Sequence, residues 1–346
     1  MTARIAVVGT GWWATGTHIP TLQDCDDTEI ASICDLDEER LAITGETFGI
    51  AARYTDIDAM LAAEKPDGVI VGTPHVHHAG PAIAALEAGA HVLVEKPMAT
   101  TAADARAIAA AASRAERQVM VATGLNFTGY TAIARDWVQS GLIGELRHAV
   151  CSMGSPLDDL MAGQPMAETK DALFRPPAST WADPKKAGGY GWGQMSHSLA
   201  WLAWVTDLGF ESLFAMDVKS PAGVDYYDAA AGRLKNGATV AISGASTVPK
   251  HVGMHTDVRL FGTEGMLTFS NLPAMLELRR HDGADRAVPM TDFDGLYDGA
   301  LPVRLFAALC NGKEVTNPSD GICGVRVTEA LDAIYRSAAS GRMETV

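Results

Sequence analysis

The sequence predicts an α/β chain of two domains, a doubly wound parallel sheet first and a domain of mostly antiparallel strands second. Three observations predict it. The chain has 346 residues, against about 100–200 residues per domain. Its first 125 residues alternate short β-rich runs with helical ones. Beyond residue 125, β-patterned runs follow one another across short turn signals.

The expected strands of the first part are Arg4–Val8, Glu29–Cys34, Gly68–Gly72, His91–Glu95 and Gln118–Thr123. Helix-like stretches lie between them at Asp37–Phe48, Asp56–Ala63, His78–Ala88 and Thr101–Glu116. Apolar strands alternating with helices indicate a parallel sheet covered on both faces. Gly89 stands where a left-handed C-cap is wanted, and Thr101 with Asp104 supplies an N-cap and an acid in the first turn. A helix is expected at Tyr130–Ser140, then a loop-rich stretch from Ser152 to Tyr190, then an apolar helix over Met195–Thr206. Strands follow at Gly232–Leu234, Thr239–Ser246, Thr256–Gly262, Met266–Ser270 and Met275–Arg280, with turn signals at Asn236-Gly237 and Asp282-Gly283. Consecutive strands on short turns suggest antiparallel pairing. The tail returns to helix at Pro302–Cys310 and Ser319–Gly341. The domains are therefore expected at 1–125 and 126–318, with a final helix over about 319–341 packing back on the first.

Composition narrows the function. The formal net charge is −15 and the pI about 5.0. Neither nucleic acid nor an anionic membrane surface is an expected partner, since both require basic surfaces. No apolar run approaches the length of a membrane span. The N-terminal residues run directly into a strand without a leader pattern. The five cysteines form no C-x-x-C pair, as expected of structural thiols in a reducing compartment. A cytoplasmic protein is expected.

Gly9-Thr10-Gly11-Trp12-Trp13-Ala14 follows the first strand and precedes a helix. This is the G-x-G-x-x-G/A arrangement of a Rossmann dinucleotide site. The first glycine permits the turn, the second admits a pyrophosphate to the backbone, and the small third residue allows close packing. Asp35 closes the second strand, where a carboxylate can accept from ribose hydroxyls and would repel a 2′-phosphate. NAD is the expected cofactor; Arg40, a short way along, leaves NADP as the alternative.

Gly72-Thr73-Pro74-His75-Val76-His77-His78 and Glu95-Lys96-Pro97, with that fingerprint, resemble the glucose–fructose oxidoreductase / inositol dehydrogenase (Gfo/Idh/MocA) family. So do Trp181-Ala182-Asp183-Pro184, Gly188-Gly189 with His197, Leu260-Phe261-Gly262-Thr263-Glu264-Gly265, and the helix from Ala330 to Gly341. The resemblance covers nearly the whole chain. It implies a Rossmann domain plus an α/β domain with an open, mostly antiparallel sheet whose outer face forms the oligomer interface of a homodimer or homotetramer. It also implies reversible hydride transfer between a nicotinamide and a carbinol carbon of a sugar, cyclitol or related polyol. Thr73, Pro74, His77, Glu95 and Asn126 then belong to the cofactor site with Gly9, Thr10, Gly11, Trp12, Trp13, Asp35 and Lys96.

Lys96, at a strand's C-terminal end, is placed where ligands meet parallel sheets. A lysine of lowered pKa can share a proton with the substrate oxygen. His197 is the second catalytic candidate, as base or as donor to that oxygen. Many relatives carry an Asp four residues before this histidine; here the residue is Gly193. That leaves a Lys96–His197 dyad assisted by Gln194, which can hydrogen-bond but cannot act as a base. Phe127 stands where relatives often carry Arg beside the residue matching Asn126, pointing to a less anionic substrate.

Trp12, Trp13, Trp181, Tyr190 and Trp192 all fall in glycine-rich or loop segments. Aromatic faces suit the C–H faces of sugar rings, so Trp181, Tyr190 and Trp192 join Lys96, Asn126, Gln194 and His197 as candidate substrate residues. Packing between elements is the competing role for each ring. His75, His77 and His78 are adjacent and lack the spacing of metal ligands; no metal is expected. His18 is expected to be structural. Three functions remain: a sugar or cyclitol dehydrogenase, an NAD-dependent glycosidase that oxidises its substrate transiently, and a non-catalytic cofactor sensor. The sensor should have lost Lys96 and His197, so it ranks last.

Overall fold

The computed structural model describes residues 2–291 and 293–346. They form two compact units. The first comprises Met1–Gly124, Pro165–Pro177 and Gly299–Val325; the second comprises Leu125–Gln164, Ala178–Asp298 and Arg326–Val346.

Among the described residues the first unit has a six-stranded sheet. Its strands are β1 (Ala3–Val8), β2 (Thr28–Cys34), β3 (Arg53–Tyr54), β4 (Gly68–Val71), β5 (His91–Val94) and β6 (Val119–Val121). All run parallel in the order β3-β2-β1-β4-β5-β6. The helices are α1 (Ile19–Gln23), α2 (Glu38–Phe48), α3 (Ile57–Glu64), α4 (Ala79–Glu87) and α5 (Ala102–Ala115). Residues of β4 and β5 such as Val69, Ile70, Val92 and Leu93 are wholly buried, because the sheet is covered on both faces. The caps follow the sequence. The side chains of Asp37, Asp56 and Thr101 accept from the backbone N–H groups of Arg40, Ala59 and Asp104, and Gly89 lies at φ +90°. The strand order reverses between β1 and β4, so a crevice opens at the C-terminal ends of the strands. Gly9, Asp35, Gly72 and Glu95 each follow the end of one strand there.

The helix expected to return to this unit is only partly the one that does. Gly299–Val325 groups with the first unit, and Arg326–Val346 with the second. Phe306 is wholly buried and, with Cys310, fills the space beside Gly68: a Cβ there would lie 2.4 Å from Cys310 Sγ. The helix carrying both, Ala300–Cys310, therefore seals the sheet. The loop segment Pro165–Pro177 also groups with this unit, within the stretch expected to belong to the second domain.

The second unit is built on a sheet with nine strands among the described residues. After α6 (Gly129–Gln139) come β7 (Leu146–Gly154), the single turns α7 (Asp158–Met161) and α8 (Ala178–Trp181), and α9 (Ser196–Thr206). Then follow β8 (Phe210–Lys219), β9 (Asp225–Leu234), β10 (Thr239–Ala245), β11 (His255–Gly262), β12 (Gly265–Asn271), β13 (Ala274–Arg280) and β14 (Arg286–Val288). The sealing helix just described is α10; α11 (Gly321–Ser340) and β15 (Glu344–Thr345) close the chain. The order is β14-β13-β12-β11-β7-β10-β9-β8-β15. Within this sheet only β7 with β10 pairs parallel among the described strands. The sheet is thus open and mostly antiparallel, as expected. The helix α9 is apolar on nearly every side and almost entirely buried, and Trp201 Nε1 donates to Thr131 Oγ1 of α6 at 3.0 Å. No described helix is long and apolar enough to cross a membrane.

Candidate active site

In the first unit the glycine turn closes as its sequence requires. Gly9 lies at φ +89°, and a Cβ there would stand 2.7 Å from the Gly72 carbonyl carbon. The Gly9 N–H donates to Cys34 O at 2.8 Å. A Cβ on Gly11 would meet nothing within 4 Å, which leaves that backbone open to an approaching pyrophosphate. The chain is helical from Trp12, passes through a π turn at Ala14–His18, and continues into α1. Such turns are frequent at functional sites. Asp35 Oδ2 accepts from both the N–H and the hydroxyl of Thr10, at 2.8 and 3.0 Å, and Oδ1 accepts from the Asp37 N–H at 3.0 Å. Arg40 Nη1 lies 3.7 Å from Asp35 Oδ2, and its guanidinium sits 5.7 Å from the Phe174 ring centre. The carboxylate is therefore fixed beside the open turn, and these residues fit a dinucleotide. Trp12 and Trp13 meet edge-on at 5.2 Å. Trp13 packs over Gly299, where a Cβ would lie 2.6 Å from its ring, so its role includes internal packing.

At the end of β4, Thr73 Oγ1 donates to His77 O at 3.0 Å, and Pro74 and His77 are exposed. His78 is buried and bridges two carbonyls, with Nδ1 2.7 Å from Pro97 O and Nε2 2.8 Å from Thr73 O. Burial lowers its pKa against both contacts. The ring ties the loop after β4 to the segment carrying Lys96, a role the adjacent histidines hid in the sequence. His18 is also more than packing: its Nε2 lies 3.1 Å from Glu95 Oε1. Burial raises the Glu95 carboxyl, but His18 and Lys96 beside it overcome this and hold it below its usual range. The Lys96 N–H donates to Glu95 Oε2 at 3.1 Å. Burial pushes the Lys96 ammonium down to about 8, with the Glu95 charge pulling the other way. A lysine poised there can hold or release a proton near neutral pH.

In the second unit, Gly191–Met195 forms another π turn that opens α9 and delivers His197, which is 3% exposed. The His197 ring meets Tyr297 at 5.2 Å and 75°. Tyr297 lies in a loop without a motif, so nothing in the sequence marked it. Gln194 is half-buried, and its Oε1 accepts from Ser155 Oγ at 3.4 Å. The missing acid at position 193 has a steric reason. A Cβ on Gly193 would stand 2.4 Å from Trp181 Cζ3, so the indole occupies the space a side chain would take. Introducing the acid as Gly193→Asp is expected to lower both Tm and kcat, and adding Trp181→Ala is expected to recover Tm. Thermal melts and initial rates of the two variants check this; a Gly193→Asp enzyme at least as stable as the parent would contradict it.

Two of the rings expected as platforms are turned inward in the second unit. Tyr190 is wholly buried and Trp192 is 7% exposed. The Tyr190 ring fills the space left by Gly244 of β10, where a Cβ would lie 2.9 Å from it, and its hydroxyl meets Ser155 Oγ at 3.1 Å. Trp192 stacks on Tyr335. Asn126 is 1% exposed, and its Nδ2 donates to Ala200 O at 3.2 Å; buried polar side chains of this kind hold backbone together. Trp181 keeps a partly exposed ring.

The fold and the glycine turn define a chain with a Rossmann-type dinucleotide-binding domain. Residues 3–123 match the oxidoreductase family with an NAD-binding Rossmann fold, and residues 131–268 match the GFO/IDH/MocA C-terminal domain. The chain belongs to the Gfo/Idh/MocA family. It is 35% identical over 160 residues to D-apiose dehydrogenase of Paraburkholderia graminis, covering 46% of this chain and 42% of that protein. It is 33% identical over 143 residues to D-glucoside 3-dehydrogenase of Escherichia coli, covering 41% of each. The chain thus matches about two fifths of the length of these curated relatives. A levoglucosan dehydrogenase solved in complex with NADH shares the fold at a TM-score of 0.80 and 20% identity, covering 100% of this chain and 99% of that one.

Proposed function

We propose that this chain is an NAD-dependent dehydrogenase that interconverts a secondary alcohol and a ketone on a neutral sugar, glycoside or cyclitol. The observation that carries the reading is Lys96: a half-buried lysine with its pKa lowered to about 8, at the C-terminal edge of a dinucleotide-binding sheet. The nicotinamide, when bound, takes up the hydride. Neutral Lys96 takes the hydroxyl proton, and His197 orients the oxygen or shares that proton. Asp35, Thr10 and the Gly9–Gly11 turn hold the adenosine and pyrophosphate end. The sugar-acting dehydrogenases among the relatives and the partly exposed Trp181 ring support a neutral, C–H-faced substrate. The exposed Met216, Val218 and Tyr227 on β8 and β9 support a homodimer or homotetramer formed through that sheet. A cytoplasmic location completes the proposal.

The second reading is a redox-neutral glycosidase using bound NAD, favoured by the absence of a carboxylate at Gly193. Absorbance at 340 nm, with NAD and separately NADP, across inositols, free aldoses and alkyl glycosides separates the two. The dehydrogenase gives NADH, with NAD preferred over NADP and Asp35→Ala narrowing that preference. Aglycone release without NADH accumulation would replace it with the glycosidase.

A further inference from the structure

The buried Asp225 and Asp228 and the half-buried Tyr335 are ionisable residues of the second unit that take no part in the reaction as described. Asp225 is 1% exposed, and a bulge aims it inward. Val218 of β8 pairs with Tyr227, whereas the next residue, Lys219, pairs with Asp225, leaving Tyr226 as the extra residue. A bulge reverses which side chains face the core, so Asp225 and Asp228 both turn in.

Both Asp225 oxygens are then engaged. Oδ2 accepts from the Gly191 N–H at 2.7 Å, and Oδ1 accepts from the Tyr335 hydroxyl at 2.9 Å. The Tyr335 oxygen in turn accepts from the Trp192 N–H at 3.1 Å. The Trp192 and Tyr335 rings stack at 5.1 Å with 5° between their planes. Gly189 admits the carboxylate: it lies at φ +116°, and a Cβ there would stand 2.1 Å from Asp225 Oδ1. Two successive backbone N–H groups at the start of the π turn are thus held by one carboxylate–phenol pair. Burial, together with the charges of Asp225 and Asp228, raises the Tyr335 phenol well above its usual pKa and keeps it a donor. Burial and the neighbouring Asp225 charge raise Asp228, which favours its neutral form beside the anchoring carboxylate.

We infer that Asp225 and Tyr335 are positioning residues for the reaction: they clamp the turn at Gly191 and Trp192 and so set the direction of Gln194 and His197. The inference rests on the reading of His197 as a group that touches substrate. A helix opened by a π turn has its side chains rotated relative to a regular one, and the clamp fixes where that rotation falls. Misplacement by about 1 Å can cost about 100-fold in rate.

The test compares Tyr335→Phe, Asp225→Ala and Asp225→Asn with Leu331→Ala, a truncation of a wholly buried side chain on α11, and with His197→Ala. The readouts are kcat, KM for the sugar, NAD affinity by tryptophan quenching, and Tm. Tyr335→Phe and Asp225→Ala should lower kcat about 10–100-fold with NAD affinity unchanged. Asp225→Asn, which keeps an acceptor for Gly191, should recover part of that loss. Leu331→Ala should lose as much Tm while keeping kcat. The inference is overturned if the clamp variants keep the parent kcat, or if kcat falls in Leu331→Ala in the same proportion to Tm. Full activity in His197→Ala would instead overturn the reading of the site, and this inference with it.

Discussion

Replacing Lys96 with Met is expected to lower kcat about 1,000-fold, the middle to upper range for removing a general acid–base group, while NAD still binds. Lys96→Arg should fare no better. A guanidinium stays charged throughout the accessible pH range, so it can supply a positive charge at the substrate oxygen but cannot accept a proton. Rescue by Arg would show that charge alone is what position 96 supplies. The pH dependence has a definite sign. With Lys96 pushed down to about 8, the neutral form needed for alcohol oxidation grows as pH rises through that value. The oxidation rate should climb to a plateau above about 8, and ketone reduction, which needs the protonated form, should fall over the same range. Steady-state rates in both directions from pH 6 to 10 check this.

The second large effect is expected at Gly9. Alanine there would place a Cβ 2.7–2.8 Å from the Gly72 carbonyl and the Thr73 nitrogen, in a backbone held at φ +89°. A left-handed conformation costs a non-glycine residue roughly 1–2 kcal/mol, and forcing a methyl into a packed contact costs about 1–3 kcal/mol more. The turn can relieve this only by moving away from Gly72, which displaces Thr10 from Asp35. Gly9→Ala should therefore lose both stability and NAD affinity, the latter by about 100-fold, equivalent to about 2.7 kcal/mol. Gly11→Ala, whose Cβ meets no protein atom within 4 Å, should keep Tm and lose only affinity. Melting curves and NAD titrations of the two variants separate folding from binding; equal Tm loss in both would contradict the assignment.

These two sites were legible because their information is local. The glycine turn, Asp35 and Glu95-Lys96-Pro97 sit at ends of strands buried on both faces, and such strands read as uninterrupted apolar runs. What the sequence hid was non-local or weakly patterned. At two residues, β3 is too short to announce itself. Both β7 and β8 alternate between buried and exposed positions, but Arg147, His148 and Ser152 in one and Glu211 and Asp217 in the other dilute the pattern. The middle of β9 is Ala229-Ala230-Ala231, and alanine is a poor strand former. His78 reaches Pro97 across 19 residues, and Asp225 reaches Tyr335 across 110; no spacing rule foresees either. Tyr190 sits among glycines, which suggests a loop tip, yet Gly244 opens a slot in the sheet that swallows its ring. The same cause explains Gly193: an aromatic ring from another segment fills the volume a side chain would take.

The central claim is that hydride leaves a carbinol carbon of a neutral sugar for the nicotinamide. The most direct test is a single-turnover reaction with NAD and an alkyl glycoside fully deuterated on carbon, with the NADH isolated and weighed by mass spectrometry. The account predicts NADH heavier by one deuterium, formed with a ketone product, and lost in Lys96→Met. Unlabelled NADH, or a transformed sugar with no NADH formed at any time, would contradict it.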